Sequence, residues 1–170
     1  MKTLVLAGSP RKGKNSDRLA ELYAEKRAAE LVHIRDNKIG YCIACNHCKK
    51  IKKGVCFNND DMTSLYAKVR EADEIAIFSP VYWWQVTAQT KVFIDRLYAL
   101  DHDEWKGKKL TVVVNGEAEE SDKEYAILKD AFQEMADYLG ISLAFRGVGT
   151  EEDNADDFEK AKKAVLELKA

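Results

Sequence analysis

Short apolar runs alternate with amphipathic stretches along the chain, and this alternation constrains the fold more than any other feature of the sequence. Residues 74–78 (EIAIF), for example, form an apolar run of strand length, and residues 87–100 follow with the spacing of a helix. Strands that alternate with helices are typical of α/β proteins with a parallel sheet. The sequence therefore predicts an α/β fold built from βα units.

Five strands are predicted, over residues 2–7, 30–34, 74–78, 109–114 and 141–148. Helices are predicted to begin at Asn15 or Ser16, near Asp60, at Thr87, at Asp122, and at Asn154 with Asp157. Ser121 and Glu124 have the spacing of a capping box, and Gly140 is placed to end the same helix.

Right-handed crossovers between parallel strands would fold these units into a doubly wound, three-layer sandwich with helices on both faces. The simplest five-stranded parallel sheet has the order 2-1-3-4-5. In that order the winding changes direction between strands 1 and 3, and ligands bind beyond the carboxyl ends of the strands there. We expect residues 8–16, residues 79–85 and the Asn115-Gly116 loop to converge on one crevice.

Composition and charge limit the class of protein. With 170 residues, 46% of them hydrophobic, we expect a single domain over residues 1–170, because either half alone would bury too little surface. The net charge of -2 favours neither nucleic acid nor an anionic membrane as a partner. The first apolar run stops at Gly8, too early for a signal peptide or a membrane span, so we expect a cytoplasmic protein.

The loop at residues 8–16 is suited to a terminal phosphate group. It offers hydroxyl groups, cations and the backbone N–H groups of a helix start, all of which bind phosphate oxygens. It is neither a Walker A motif nor GxGxxG, so a mononucleotide is the predicted ligand. The alternative is an ordinary polar turn with solvated lysines.

The loop that follows the third strand places flat side chains at the end of that strand. Pro80, Tyr82, Trp83 and Trp84 lie within five residues of one another, and aromatic planes there can flank a planar ring system. The alternative, above all for Trp84, is that the aromatic side chains cover the end of the sheet or form a subunit contact.

All four cysteines lie close together, as Cys42-x2-Cys45-x2-Cys48-x7-Cys56. In a reducing compartment such a group indicates metal or redox chemistry rather than disulfides. Consecutive CxxC steps with a more distant fourth thiol suit a [4Fe-4S] cluster. A structural zinc site is one alternative, although zinc ribbons usually have two separated CxxC knuckles. Thiols without any metal are the other.

The sequence also resembles a known family. Gly8-Ser9-Pro10-Arg11 with Asn15-Ser16, residues 79–83 (SPVYW) and residues 91–96 (KVFIDR) are similar to the NADPH-dependent FMN reductase family of flavodoxin-like fold. Within that family, the cysteine-rich loop at about residues 40–58 and the Asp60-Asp61-Met62 segment after it resemble the iron-sulfur flavoproteins. The resemblance extends over nearly the whole chain.

The resemblance implies residues for two cofactors. For FMN it implies phosphate contacts from Ser9, Arg11, Lys14, Asn15 and Ser16, ring contacts from Pro80, Val81, Tyr82 and Trp83, and further ring contacts from Asn115, Gly116 and Glu117. The third of these groups departs from the Gly-rich pattern of the family. For a [4Fe-4S] cluster it implies ligation by Cys42, Cys45, Cys48 and Cys56. No separate catalytic acid or base is assigned.

The function predicted on this basis is that of an FMN-dependent oxidoreductase or electron-transfer flavoprotein, in which electrons pass between FMN and the cluster. The alternatives are an NAD(P)H-dependent FMN or quinone reductase without a cluster, and a non-enzymatic, zinc-stabilised nucleotide-binding module. NAD(P)H is the candidate electron donor. The predicted partners are a small redox substrate or an electron carrier such as a ferredoxin, together with further copies of the chain in a homodimer or homotetramer.

Overall fold

The computed structural model describes residues 1–150 and 155–168. Its strands are β1 (Thr3–Ala7), β2 (Glu30–His33), β3 (Glu74–Tyr82), β4 (Gln85–Val86), β5 (Lys109–Gly116) and β6 (Ser142–Gly149). Its α-helices are α1 (Asn15–Arg27), α2 (His47–Lys50), α3 (Met62–Glu71), α4 (Ala88–Arg96), α5 (Lys123–Leu139) and α6 (Ala155–Leu166). Short 3-10 turns lie at Ile34–Asp36, Leu97–Ala99 and His102–Trp105. Among the described residues we find no helix with the length and apolar character of a membrane span.

Five strands form a parallel sheet in the order β2-β1-β3-β5-β6, and the two-residue β4 turns back antiparallel on the end of β3. Because β4 pairs only with β3, strands β5 and β6 are the fourth and fifth strands of the parallel sheet. The predicted order 2-1-3-4-5 is therefore confirmed. In the middle of the sheet Val5 pairs with Leu31 on one side and with Ala76 on the other. The two halves of the sheet thus wind outward in opposite directions from β1 and β3.

The core lies on both faces of the sheet, because successive side chains of a strand point to opposite faces. On one face Leu4, Leu6, Ile75 and Ile77 pack with buried residues of α3, α4 and α5. On the other face buried residues of β1, β3 and β5 pack with α1 and α6. Helices therefore cover both faces, and the predicted three-layer sandwich is confirmed.

One buried carboxylate ties the amino ends of the central strands together. Glu74 of β3 accepts hydrogen bonds from Thr3 Oγ1 at 3.0 Å, Tyr23 OH at 2.8 Å and Thr111 Oγ1 at 2.6 Å. Burial alone would raise the pKa of Glu74, but these three hydrogen bonds and the nearby Lys109 ammonium outweigh it and lower the pKa. The carboxylate is thus stabilised in its ionised form.

Some predicted boundaries differ from the structure. Strand β3 was expected to end at residue 78, but it continues to Tyr82 because Ser79 and Pro80 still lie opposite β5. The capping box is wrong: α5 begins at Lys123 with Asp122 as its N-cap, so Ser121 lies outside the helix. Gly140 does end that helix, with φ +67. The predicted helix start at Asn154 falls outside the described residues.

Candidate functional site

A crevice of about 370 Å³ opens at the carboxyl ends of β1, β3 and β5. It is lined by Arg11, Asn15, Pro80, Val81, Tyr82, Trp83, Trp84, Asn115, Gly116, Glu117, Ala118, Glu124 and Thr150. Nine of the twelve residues predicted to bind FMN are in this lining, and they come from all three predicted loops. Ser9, Lys14 and Ser16 are not part of the lining, and Ala118, Glu124 and Thr150 were not predicted.

Ser9 and Ser16 are buried, and their hydroxyl groups are used inside the protein. Ser9 Oγ donates to the carbonyl oxygen of Arg11 at 3.0 Å and accepts from the Arg11 N–H at 3.1 Å. Ser16 Oγ donates to Asn115 Oδ1 at 2.6 Å. In this structure both side chains hold the walls of the crevice in place rather than facing into it.

Asn115 links three elements around the crevice. It accepts from Ser16 at the start of α1, and its own Nδ2 donates to Thr150 Oγ1 at 2.8 Å. The Thr150 N–H in turn donates to the carbonyl oxygen of Gly116 at 2.7 Å. These bonds hold the ends of β5 and β6 against α1, so the third loop has a defined position relative to the first.

A buried ion pair shapes the first loop. The fully buried Asp17 accepts from the Gly13 N–H at 2.8 Å and pairs with Arg35 Nη1 at 2.8 Å. The same Nη1 also donates to the carbonyl oxygen of Ser9 at 3.2 Å. Neither Asp17 nor Arg35 was predicted from the sequence, because Arg35 approaches the loop only when β2 pairs with β1. Arg35 thus holds the first loop in place and balances the charge of the Asp17 carboxylate beneath it.

The floor below the second loop is a network of buried hydroxyl groups. The carbonyl oxygen of Gly8 accepts from Thr87 Oγ1 at 2.6 Å and from Thr90 Oγ1 at 3.3 Å. Ser79 Oγ accepts from the Thr87 N–H at 3.1 Å, and Thr87 caps the start of α4. A Cβ atom at Gly8 would lie 2.0 Å from Thr90 Oγ1, so any larger residue there would displace the Thr90 hydroxyl group. The network joins β1, β3 and α4 directly under the crevice.

The rim of the crevice carries a strained turn. Trp83 and Trp84 are the two central residues of the tight hairpin between β3 and β4, with φ +51 and φ +60. Hairpin turns with two positive φ values favour Asn-Gly, and bulky side chains adopt them at a cost. Trp83 is 88% exposed and Trp84 56%, and their rings meet edge to face at 5.4 Å. Two aromatic side chains are thus presented to solvent beside the crevice.

Glu124 faces the crevice, although the sequence predicted a capping role for it. A Cβ atom at Gly116 would lie 3.3 Å from Glu124 Oε1, so the carboxyl group packs directly on the third loop. Burial, reinforced by the charge of Asp122, raises the pKa of Glu124. A carboxyl group with a raised pKa at a crevice wall can hold a proton that an ordinary glutamate would lose.

The cysteine loop, residues 41–58, forms a second site. All four thiols line one narrow cavity of about 20 Å³, together with Phe57 of the loop and Tyr98 outside it. Cys42 and Cys45 are exposed, Cys56 is half-buried and Cys48 is buried. Burial raises the pKa of the Cys48 thiol, and the neighbouring Lys49 offsets part of this effect. Among the described residues, no three His, Cys, Asp or Glu side chains are gathered around the position of a single ion.

Comparison with known sequences places the chain among redox proteins. The family model described as NADPH-dependent FMN reductase matches residues 1–146. An iron-sulfur flavoprotein of Archaeoglobus fulgidus is 42% identical over 107 residues, which cover 60% of this chain and 48% of that protein. One from Methanosarcina thermophila is 37% identical over 101 residues, which cover 56% of this chain and 52% of that protein. This chain therefore matches about half the length of these curated relatives.

Solved structures share the fold at low sequence identity. The NAD(P)H:quinone oxidoreductase from Methanothermobacter marburgensis superposes with a TM-score of 0.76 at 13% identity, covering 98% of this chain and 94% of that one. The Trp repressor binding protein from Bacillus subtilis gives a TM-score of 0.69 at 21% identity, covering 97% and 96%. With the observed strand order, these likenesses confirm the predicted flavodoxin-like α/β fold.

Proposed function

Since the chain belongs to the NADPH-dependent FMN reductase family, we propose that it binds FMN in the crevice and acts as an FMN-dependent oxidoreductase. The observation that carries the proposal is the convergence of the three loops on a single crevice. Its volume of about 370 Å³ lies within the range of cofactor sites. Its lining combines cationic, amide and aromatic side chains, which suits a ligand with a charged end and a planar end.

The phosphate end of the flavin fits the first loop. Arg11 and Asn15 line the crevice there, and α1 begins at Asn15 with its N-terminus toward the loop. Helix N-termini attract anions through unpaired N–H groups and the helix dipole. Asp17 would repel a phosphate, but its charge is balanced by Arg35 at 2.8 Å. The first loop is thereby left with a net excess of cations.

The ring end of the flavin fits the part of the crevice that the second and third loops line. Pro80, Val81 and Tyr82 of the second loop line this part of the crevice together with Gly116 and Glu124. Bound FMN would supply the redox chemistry, since a flavin accepts electrons in pairs and releases them singly. The role of the chain is to hold the ring between apolar and aromatic side chains and to keep a protonatable carboxyl group beside it.

We further propose that Cys42, Cys45, Cys48 and Cys56 hold a [4Fe-4S] cluster. Their four soft sulfur donors line one cavity. The relatives named iron-sulfur flavoprotein add support by their names alone. A cluster bound there would supply one-electron transfer. Each thiolate of a cubane binds its own iron, so the four sulfurs need not meet at one point as they must around zinc.

The alternative is an NAD(P)H-dependent FMN or quinone reductase that carries no cluster. The observation that favours it is the size of the cysteine cavity, whose volume of about 20 Å³ leaves room for little more than one water molecule. In that case the exposed Cys42 and Cys45 are redox-sensitive thiols. Three predictions stay the same under either proposal. The protein exchanges electrons with a small redox substrate or a ferredoxin, it forms a homodimer or homotetramer, and it is located in the cytoplasm.

Anaerobic purification followed by cofactor analysis tests these proposals. We expect FMN to bind to the wild type, about four irons per chain with matching sulfide, and a broad visible absorbance beyond the flavin bands. Arg11→Ala should weaken FMN binding at least tenfold, whereas Lys26→Ala, at the far end of α1, should not change it. FMN without iron would support the alternative. Protein that retains zinc and takes up no FMN would contradict both.

A further inference from the structure

The cysteine loop is closed where the chain enters and leaves it. The Lys38 N–H donates to Asp61 Oδ2 at 2.6 Å, and the Gly40 N–H donates to Asp60 Oδ2 at 2.9 Å. Asn58 Nδ2 adds a longer bond of 3.3 Å to the carbonyl oxygen of Tyr41. Residues 38–41 and 58–61 therefore form a neck, and the four thiols lie on the segment beyond it.

Arg96, the last residue of α4, joins the two sides of this neck. Its guanidinium group binds the Asp60 carboxylate in a fork, with Nη1 to Oδ2 at 2.6 Å and Nη2 to Oδ1 at 3.0 Å. Nη1 also donates to the carbonyl oxygen of Gly40 at 2.7 Å. The Arg96 side chain is completely buried and that of Asp60 is 18% exposed, so these bonds are largely shielded from water. A planar fork of this kind fixes direction as well as distance.

Two other contacts of the cysteine loop are made by exposed side chains. Arg70 Nη2 donates to the carbonyl oxygen of Gly54 at 2.8 Å, and Lys53 lies 3.3 Å from Asp101. Both side chains are exposed to solvent, where water and salt screen an ion pair. Breaking a buried pair leaves one charge without a partner in the interior. The Arg96–Asp60 contact thus adds a buried charge pair to the other bonds that hold the loop, such as Lys38 N–H to Asp61 and Lys49 Nζ to the carbonyl oxygen of Leu100 at 2.8 Å.

Helix α4 connects this neck to the crevice. Its N-cap residue, Thr87, donates to the carbonyl oxygen of Gly8 under the second loop at 2.6 Å. Arg96 stands at the other end, and the Tyr66 hydroxyl donates to its carbonyl oxygen at 2.8 Å. With a rise of about 1.5 Å per residue, the helix separates the two anchors by about 13–14 Å. The contact at Arg96 thus sets where the cysteine loop lies relative to the crevice.

We propose that Arg96 is the positioning residue of the cysteine loop: by joining Gly40 to Asp60 it keeps the loop closed and holds Cys48 and Cys56 against the core. The inference rests on the proposed function only in one respect, namely that the four positioned thiols serve as ligands. The closure itself follows from the contacts of Arg96 alone.

Alkylation of each cysteine, followed by mass spectrometry on FMN-loaded protein treated with a chelator, tests the inference. In Asp60→Asn we expect Cys48 and Cys56 to react at least tenfold faster than in the wild type, because the neck opens. Arg96→Lys, which keeps the charge but loses the fork, should show the same effect to a smaller degree and serves if Asp60→Asn fails to fold. Asp95→Asn, in the exposed pair with Lys91 on the same helix, is the matched control and should change neither rate more than twofold.

A second control separates local opening from general loss of stability. Gly147→Ala would place a Cβ atom 2.4 Å from the Tyr125 ring, far along the chain from the loop, and should destabilise the whole protein. Its cysteines should react faster only under conditions that unfold it, whereas those of Asp60→Asn should react in native buffer. FMN affinity of Asp60→Asn should stay within twofold of the wild type, because the Thr87 end of α4 is unchanged.

Equal rates for Cys48 and Cys56 in Asp60→Asn, Arg96→Lys and Asp95→Asn would overturn the inference. Anaerobic loading with iron and sulfide then distinguishes it from the proposed function. If the wild type binds about four irons and Asp60→Asn fewer than one, both stand. If the wild type binds no iron while Asp60→Asn still exposes its thiols, the cluster proposal fails and the positioning role of Arg96 stands.

Discussion

Gly8→Ala is the substitution whose effect the structure specifies most closely. The added Cβ atom would lie 2.0 Å from Thr90 Oγ1 and 3.0 Å from the carbonyl oxygen of Phe78. The Thr90 hydroxyl must therefore leave its bonds to Gly8 at 3.3 Å and to Thr87 at 2.8 Å. Two buried hydrogen bonds are worth about 1 kcal/mol each, and forced overpacking costs about 1–3 kcal/mol more. We expect Gly8→Ala to lower the free energy of unfolding by about 3–5 kcal/mol.

Urea denaturation followed by circular dichroism measures this loss as a lower midpoint with an unchanged slope. The matched control is Gly13→Ala in the same loop, where a Cβ atom meets nothing within 4 Å. Only the positive φ of +69 penalises that substitution, by about 1–2 kcal/mol. FMN affinity should fall in Gly8→Ala, because the displaced Thr90 and Thr87 support the second loop.

The double variant Gly8→Ala/Thr90→Ala tests the cause. Removing Oγ1 of Thr90 removes the closest clash of the added Cβ atom and leaves its contacts with Phe78 O at 3.0 Å and with the Cβ atom of residue 90 at 3.2 Å. We therefore expect the double variant to lose less stability than the sum of the two single variants, by at least about 1 kcal/mol. Additive losses, or a loss in Gly8→Ala no larger than in Gly13→Ala, would refute the reasoning.

Three further predictions concern charge and strain. Because the pKa of Glu74 is lowered, its ionised form stabilises the fold above about pH 4.5, and this contribution is lost as the pH falls through the lowered pKa. Glu74→Gln should lower the free energy of unfolding by about 1–3 kcal/mol at pH 7. In urea titrations at several pH values, the loss of stability toward acid pH should be smaller in this variant than in the wild type. Because the pKa of Glu124 is raised, this carboxyl group ionises at a pH above its ordinary pKa of 4.5, and the charge it then gains should repel the anionic FMN and weaken its binding. Glu124→Gln should remove that part of the pH dependence in fluorescence titrations. Trp84→Gly should raise the thermal midpoint, because glycine adopts φ +60 without strain, and lower FMN affinity, because an aromatic side chain of the crevice is lost.

The sequence was sufficient to predict the architecture and the place of the crevice. Apolar periodicity is a local property that can be read without knowing any contact, and the winding rules of parallel sheets then leave few topologies. The end loops of β1, β3 and β5 had to converge once that order was set. For the same reason, nine of the twelve residues assigned to FMN line one crevice.

Tertiary structure alone decided which polar groups form hydrogen bonds inside the protein and which face a ligand. Asp60 and Arg96 are 36 residues apart, and no sequence pattern predicted a role for Arg96. Ser9 and Ser16 look like ligand contacts in the sequence, but their hydroxyl groups form hydrogen bonds within the walls of the crevice. Glu124, by contrast, faces into the crevice. Buried polar atoms must find partners, and which partners they reach is settled only when distant segments pack together. The alternation of apolar runs thus determined the α/β fold and the place of its crevice. Long-range hydrogen bonds determined which side chains the crevice presents to a ligand.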